Sequence, residues 1–447
     1  MKKLPLILIF AASAFCLIFS SCSSGNIIRP ADSLLSPPLY YEEYADLVEA
    51  FNQKVNTEVI MCHPQSGDYR SAIVVEDIDS DGESEALVFY KKTDDPTVAR
   101  MHLLDYIDGR WISRNDFNGY GTAVESLRVD DMDLDGAAEL MVTWNTSASK
   151  VLSLYRTLPR IGSYKEISNE NCFLSELVDI DSDGRKELFL ISQSNSTGVA
   201  NRVAKAMKIS GESVVLLGET KLDSNISSYA NVKTEKASDE EPMRIYVDAL
   251  KGEHQMITEL VYWDSSKSEL CAPFLDPETM TNIVTLRYEP IGCADVNNDG
   301  IIDIPVQSKI FGKGDNKLTI DTENIYLTEW TDYISSEFSV VAYALINNPD
   351  GYMITLSKNE LDQLGIRNYR SQNCWIVYNS DAEGNSKGEM FSVLKIPKEK
   401  WNPKTYGAYI SIVEKDDGVV CVYITQTGKS FGVSEELIKQ KITKIPS

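Results

Sequence analysis

Apolar and polar positions along this chain alternate in short runs separated by acidic and glycine-bearing turns, a pattern that predicts strands rather than long helices. Ala72–Glu76 and Ala86–Tyr90 flank one such turn, Leu140–Trp144 follows a second, and Leu188–Ile191 follows a third. Further strand-like runs are Met101–Leu104, Val151–Tyr155, Leu260–Trp263 and Asn324–Leu327. Residues 41–55 are the exception: Tyr44, Leu47, Val48, Phe51 and Val55 share one face of a helix. That helix is expected to pack on the first strand unit or to close the array.

The turns themselves repeat. Asp77, Asp79, Asp81, Gly82 and Glu85 recur as Asp131, Asp133, Asp135, Gly136 and Glu139, then as Asp179, Asp181, Asp183, Gly184 and Glu187. A fourth copy reads Asp295, Asn297, Asp299, Gly300 and Asp303. The shared pattern is D-x-[DN]-x-D-G-x-x-[DE]. Alternate carboxylates at positions 1, 3 and 5 can converge on one cation, glycine at position 6 permits the sharp turn, and the acid at position 9 closes the shell. All-oxygen anionic ligands select a hard cation, and calcium tolerates irregular geometry better than magnesium. An EF-hand is excluded, because position 12 is Val88, Val142, Leu190 or Val306 instead of a bidentate acid, and the flanks are strand-like. An ordinary acidic turn would explain one copy. It does not explain four with the same flanks.

The first aspartates stand at 77, 131, 179 and 295, so the steps are 54, 48 and 116. The last is twice 58, which places a degenerate copy near residue 235, ahead of the run Met243–Val247. That fifth unit is expected to lack metal. Units of about 50 residues with several short strands suit four-stranded propeller blades, and a β-solenoid would need shorter repeats, about 20–30 residues. The loops resemble those of the FG-GAP/VCBS repeat families, over about residues 40 to 345. Ser66–Ser71 ahead of the first loop, together with the amino-terminal segment described below, is similar to VCBS-repeat lipoproteins of Firmicutes. The resemblance implies a β-propeller with three to four calcium ions (Ca2+) in loops between strands. By position, it implies as ligands Asp77, Asp79, Asp81, Glu85; Asp131, Asp133, Asp135, Glu139; Asp179, Asp181, Asp183, Glu187; and Asp295, Asn297, Asp299, Asp303. The fourth loop departs through Asn297 and the shorter Asp303, so its site is expected to be weaker.

The amino terminus has Lys2 and Lys3, an apolar run Leu4–Phe19, then Ser20, Ser21 and Cys22. The run is short for a bilayer span and ends in small residues, as a cleavable signal does. Phe19–Cys22 resembles the bacterial lipobox, with Phe19 where leucine is usual, which implies lipid attachment at Cys22 and an anchor on the extracytoplasmic face of the cell membrane. An ordinary signal peptide with an incidental cysteine is the alternative. Residues 1–22 are therefore read as a lipoprotein signal peptide, 23–38 as a Ser/Pro linker, 39–345 as the helix and calcium-loop propeller, and 346–447 as an α+β domain, with an extra blade as the other reading of that last segment. Within it the pattern predicts strands at Tyr352–Leu356, Cys374–Tyr378 and Met390–Ile396, helices at Lys358–Leu364 and Ser434–Ile442, and a hairpin at Asp416–Gly418. Lys398–Lys404, around Trp401, is a basic-aromatic patch.

Charge narrows the partners. The 43 Lys+Arg against 67 Asp+Glu give a net charge of -24, and no basic run offers a surface for nucleic acid. Only 3 histidines occur, His63, His102 and His254, without metal-binding spacing, which argues against a histidine-built zinc site and weakens a Ser-His-Asp reading. Beyond the signal and Cys22, six cysteines remain, with no C-x-x-C, so disulfides and buried thiols are both open. No catalytic motif stands out. The expected function is a non-catalytic binding module for an envelope protein or glycan. The alternatives are an envelope glycoside hydrolase or lyase with an acidic site, and a purely structural envelope protein.

Overall fold

The computed structural model describes residues 44–446 except 148, 159–161, 195–200, 237, 239–240, 311–324, 370–372 and 382–384. The expected signal peptide, Cys22 and the Ser/Pro linker lie outside the described residues. The chain is mainly β, 57% strand against 7% helix.

Among the described residues six antiparallel sheets follow one another in chain order. The first holds Val59–Met61, Ile73–Glu76, Glu85–Lys92, Asp95–Ile107 and Arg110–Asn118. The second runs Ala123–Asp130, Glu139–Asn145, Lys150–Leu158 and Ser163–Cys172. The third is Leu174–Val178, Glu187–Ser194, Asn201–Ser210 and Ser213–Leu222, and the fourth Ser228–Glu235, Arg244–Lys251, Gln255–Asp264 and Glu269–Cys271. The fifth comprises Ile304–Ile310, Tyr326–Ile334, Glu337–Asn347 and Tyr352–Leu356, joined at its edge by Ile442–Lys444. The sixth is Leu364–Tyr369, Cys374–Ser380, Ser386–Pro397, Gly418–Ile424 and Ile410–Lys415.

The strand after each acidic loop is apolar on both faces, and its period of two explains how the sheets stack. In the first sheet Leu87 and Phe89 pack with Leu140, Val142 and Trp144 of the second. Met141, from the other face of the second, packs with Leu188 and Leu190 of the third. Phe189 and Ile191, turned away from them, meet Ile245 and Val247 of the fourth. Tyr246 then meets Ile302 and Ile304, leading into the fifth sheet, and a final cluster joins the fifth to the sixth. The second to fifth sheets thus each pack both faces against neighbouring sheets, and adjacent residues of one strand serve different interfaces.

The first sheet's remaining face is covered by the helix Ala45–Val55, whose Leu47 and Phe51 are buried against Ala86, Val88, Tyr90 and Leu104. The carboxy-terminal segment shares the fifth sheet with what precedes it and builds the sixth by itself. Position 346 falls inside strand Glu337–Asn347, and Tyr352–Leu356 and Ile442–Lys444 complete the fifth sheet. The helix expected at Lys358–Leu364 is a single 3-10 turn, Glu360–Asp362, because Leu364 already pairs with Asn379 in the sixth sheet. The last helix forms at Glu435–Lys441, with the Ser434 hydroxyl accepting from the Leu437 amide as its cap. Cys62, Cys172, Cys271, Cys293, Cys374 and Cys421 are all free thiols. No helix among the described residues is long and apolar enough to cross a membrane.

Candidate metal centres

Each of the four acidic loops joins an early strand or bridge of its sheet to the apolar strand that follows, and the four share one backbone conformation. Position 4 has a left-handed backbone in every copy: Ser80 (φ 59), Leu134 (58), Ser182 (61) and Asn298 (61). Position 6 is glycine at φ 92, 95, 90 and 87, the region where only glycine avoids steric cost. The same hydrogen bonds recur. The amides of Gly82, Gly136, Gly184 and Gly300 donate to the position-1 carboxylates of Asp77, Asp131, Asp179 and Asp295 at 3.0–3.2 Å. The amides of Glu83, Ala137, Arg185 and Ile301 donate to Asp81, Asp135, Asp183 and Asp299 at 2.8–3.0 Å.

Position 9 is the interior anchor. One oxygen of Glu85, Glu139, Glu187 and Asp303 accepts from the amide of Ile78 (2.7 Å), Met132 (3.1 Å), Ile180 (3.0 Å) and Val296 (2.8 Å). The other oxygen of each is buried with no hydrogen-bond partner, and so is one oxygen of Asp79, Asp133 and Asp179. Glu85, Glu139, Glu187 and Asp303 are no more than 2% exposed. Buried, unpartnered carboxylate oxygens are costly unless something positive meets them. Burial accordingly pushes Glu85, Glu139 and Glu187 up to about 7, with neighbouring loop carboxylates adding to the rise.

In the first three loops, ligand atoms from positions 1, 3 and 9 lie within 4.8 Å of one another: Asp77, Asp79, Glu85; Asp131, Asp133, Glu139; Asp179, Asp181, Glu187. These acidic triads could hold a metal ion. Position 5 stands outside them, its aspartate engaged with the position-7 amide. In the fourth loop Asn297 takes the place of a carboxylate, and its Nδ2 donates to Asp299 at 2.8 Å. The donor set, oxygen throughout with unpartnered buried carboxylates, fits a hard divalent cation.

The loop between Ser228–Glu235 and Arg244–Lys251 occupies the corresponding place in the fourth sheet. Glu76 pairs with Glu85 and Asp130 with Glu139, and there Glu235 pairs with Arg244. An arginine therefore stands where the other loops have their position-9 acid. Its guanidinium lies 2.6 Å from Glu241 and 3.4 Å from Glu235, and the residue is 3% exposed.

No protein-family model matches the sequence, and no curated protein matches it. Among solved structures, the chain is similar to the exotype rhamnogalacturonan lyase YesX (11% identity, 73% of each chain covered, TM-score 0.31). It is also similar to the Bacillus licheniformis rhamnogalacturonan lyase PL11 (10% identity, 74% of this chain and 77% of that, TM-score 0.31). Sqt1 from Chaetomium thermophilum is similar at 10% identity, over 84% of this chain and 99% of that, with a TM-score of 0.32. At such TM-scores these likenesses carry no argument about function.

Three arrangements escaped the sequence reading. The third strands of the second and third sheets each send a basic side chain into the loop region. Arg156 lies 2.7 Å from Asp133 and also pairs with Asp135, and Lys208 lies 3.7 Å from Asp181. Only the strand register reveals them. Asp264, Glu269 and Cys271 form a separate cluster, answered by Lys267 at 3.0 Å from Asp264 and 3.6 Å from Glu269. Finally, Ser113 Oγ is 3.0 Å from His102 Nε2, and Asp116 is 3.4 Å from Nδ1. This is the atom order of a Ser-His-Asp triad, yet the imidazole is fully buried with the Phe51 ring edge-on at 5.4 Å. It faces protein instead of a substrate, and Asp116 also accepts from the Tyr90 hydroxyl at 2.8 Å.

Proposed function

We propose that this protein is a calcium-stabilised, propeller-type array of β-sheets, anchored through a lipid on Cys22 at the outer face of the cell membrane, that binds an envelope protein or glycan without catalysis. The observation that carries the calcium reading is the unpartnered buried oxygen of Glu85, Glu139 and Glu187, repeated in three loops of one geometry. Calcium would be structural, tying the two strands of each loop together. The face-to-face series of sheets supports a propeller-type stack, with the amino-terminal helix covering the first sheet.

The test is a thermal melt of the full chain in detergent, with 10 mM calcium and then with EDTA. Extracellular calcium modules bind at roughly 0.1–1 mM, so each occupied loop contributes about 1.4–2.7 kcal/mol at roughly 10 mM calcium. A midpoint that does not move with calcium would sink the metal reading. The binding reading is supported by a row of rings in and beside the sixth sheet. Trp401 stacks on Tyr406 at 5.6 Å, Tyr406 meets Tyr409 at 5.6 Å, and Tyr409 meets Tyr423 at 5.4 Å. Such rings can stack on sugars, and Lys398, Lys400 and Lys404 lie in the same stretch of chain. Co-sedimentation with purified peptidoglycan, lost in Trp401→Ala, is the expected outcome; equal sedimentation of the variant removes this surface from consideration. Cys22→Ala should abolish incorporation of labelled fatty acid into the protein, and equal labelling of the variant would refute the anchor.

A further inference from the structure

The residue facing each position-9 acid from the strand that follows the apolar strand differs among the four loops. Glu85 pairs with Asp105. One step beyond the Leu140–Tyr155 pair, Glu139 meets Arg156; one step beyond Leu188–Met207, Glu187 meets Lys208. One step beyond Ile304–Thr331, Asp303 meets Asp332. Asp105 is answered by Arg114, whose Nε lies 2.9 Å away. Among the described residues Asp332 has no such cation. It is 8% exposed, its Oδ1 is buried without a partner, and the Oδ1 of the fully buried Asp303 is likewise unpartnered. The two carboxyl groups lie against one another. Two unpaired, buried carboxylates on neighbouring strands repel unless a cation or proton stands between them.

We propose that Asp332 is a ligand of the cation in the fourth loop, supplying the carboxylate that Asn297 lacks, and that Arg156 competes with the cation in the second. The inference rests on the calcium reading above. With Asp332 beside Asp295 and Asp303 the fourth loop has three carboxylates apart from position 5, as many as the position-1, -3 and -9 triad of each motif loop before it. It then ranks among the tight sites, and the second loop, part-filled by a guanidinium, becomes the weak one. Ligand charge count is a main determinant of calcium affinity in such sites.

Isothermal titration of the full chain in detergent with calcium chloride tests this. Asp332→Asn should weaken one site about 10–100-fold, as loss of a supporting ligand group does, while Asp332→Glu keeps it. In an Asp295→Asn background, where the fourth-loop site is already crippled, Asp332→Asn should change nothing further. Arg156→Gln should tighten one site or add one to the stoichiometry. Unchanged isotherms for Asp332→Asn, or an effect that simply adds to that of Asp295→Asn, overturn the assignment of Asp332. An unchanged isotherm for Arg156→Gln overturns the competition, and this arm stands alone if Asp332→Asn does not fold. A wild-type chain that binds no calcium overturns the calcium reading and this inference together.

Discussion

The loop ending at Glu85 and the loop ending at Arg244 solve one electrostatic problem in two ways. Both join the same pair of strands in their sheets, and both bury a charged side chain at the start of the apolar strand. In the first, Glu85 faces Glu76 across the pair and keeps an oxygen without a partner. In the second, Arg244 faces Glu235 and is also paired with Glu241. The fourth sheet carries its cation covalently, whereas the first could take one from solution. The comparison teaches that the acidic ladder is not needed to form the strand pair. On the calcium reading, what the pair requires is a positive charge at its mouth.

The largest effect should come from removing the built-in cation. Arg244→Met leaves Glu235, 9% exposed, with only the Tyr246 hydroxyl at 2.7 Å and the Ile302 amide. Breaking a buried pair by removing one partner costs about 3–5 kcal/mol. Chemical denaturation should show this loss equally in calcium and in EDTA. Glu85→Gln should behave in the opposite manner, destabilising only when calcium is present. If calcium rescued Arg244→Met, the two loops would not be the alternatives described.

A second prediction concerns an acid of the fourth sheet that takes a proton where the loops are proposed to take an ion. Glu259 is fully buried, accepts from the Asp223 amide at 2.8 Å and from Asn282 at 3.3 Å, and faces the charges of Asp223 and Lys251. Burial, aided by Asp223, raises it from 4.5 to about 7. The folded state then binds a proton that the unfolded chain has released. This contribution is fully present below pH 4.5 and is lost as pH rises through about 7. The full span is worth about 3 kcal/mol at most. Glu259→Gln should reduce the slope of stability over that window, leaving the part that Glu85, Glu139 and Glu187 contribute. An unchanged slope in the variant would show that Glu259 is ionised at every pH in the window.

How much of this could be read from the chain alone follows from where the information sits. The four loops were legible because each acidic set lies within nine residues, and glycine at position 6 marks the turn. The mainly β class was legible because strands such as Ala86–Tyr90 are short, apolar and bounded by turns. Arg244 was half legible: the spacing placed a degenerate unit near 235, but only the pairing of Glu235 with Arg244 shows what replaced the acid. Arg156 and Asp332 were not legible, since both reach their loops from another strand, 17 and 29 residues beyond the position-9 acid. The 346 boundary rested on where the loops stop, and a strand returning from Ile442–Lys444 leaves no local signal.

The smallest effect expected isolates the loop backbone from its charges. Gly82 sits at φ +92, and a Cβ added there would meet nothing within 4 Å. Gly82→Ala therefore adds no clash with other residues, and its cost is backbone strain alone, about 1–2 kcal/mol. Because the Gly82 amide also donates to Asp77 at 3.2 Å, the strain falls on the bond that orients position 1. Denaturation in EDTA should show the strain by itself, and titration with calcium should show in addition a modest loss of affinity at one site. A stability loss without any change in calcium binding would mean that the turn and the ligand geometry are uncoupled, so that the glycine serves folding of the strand pair and nothing more.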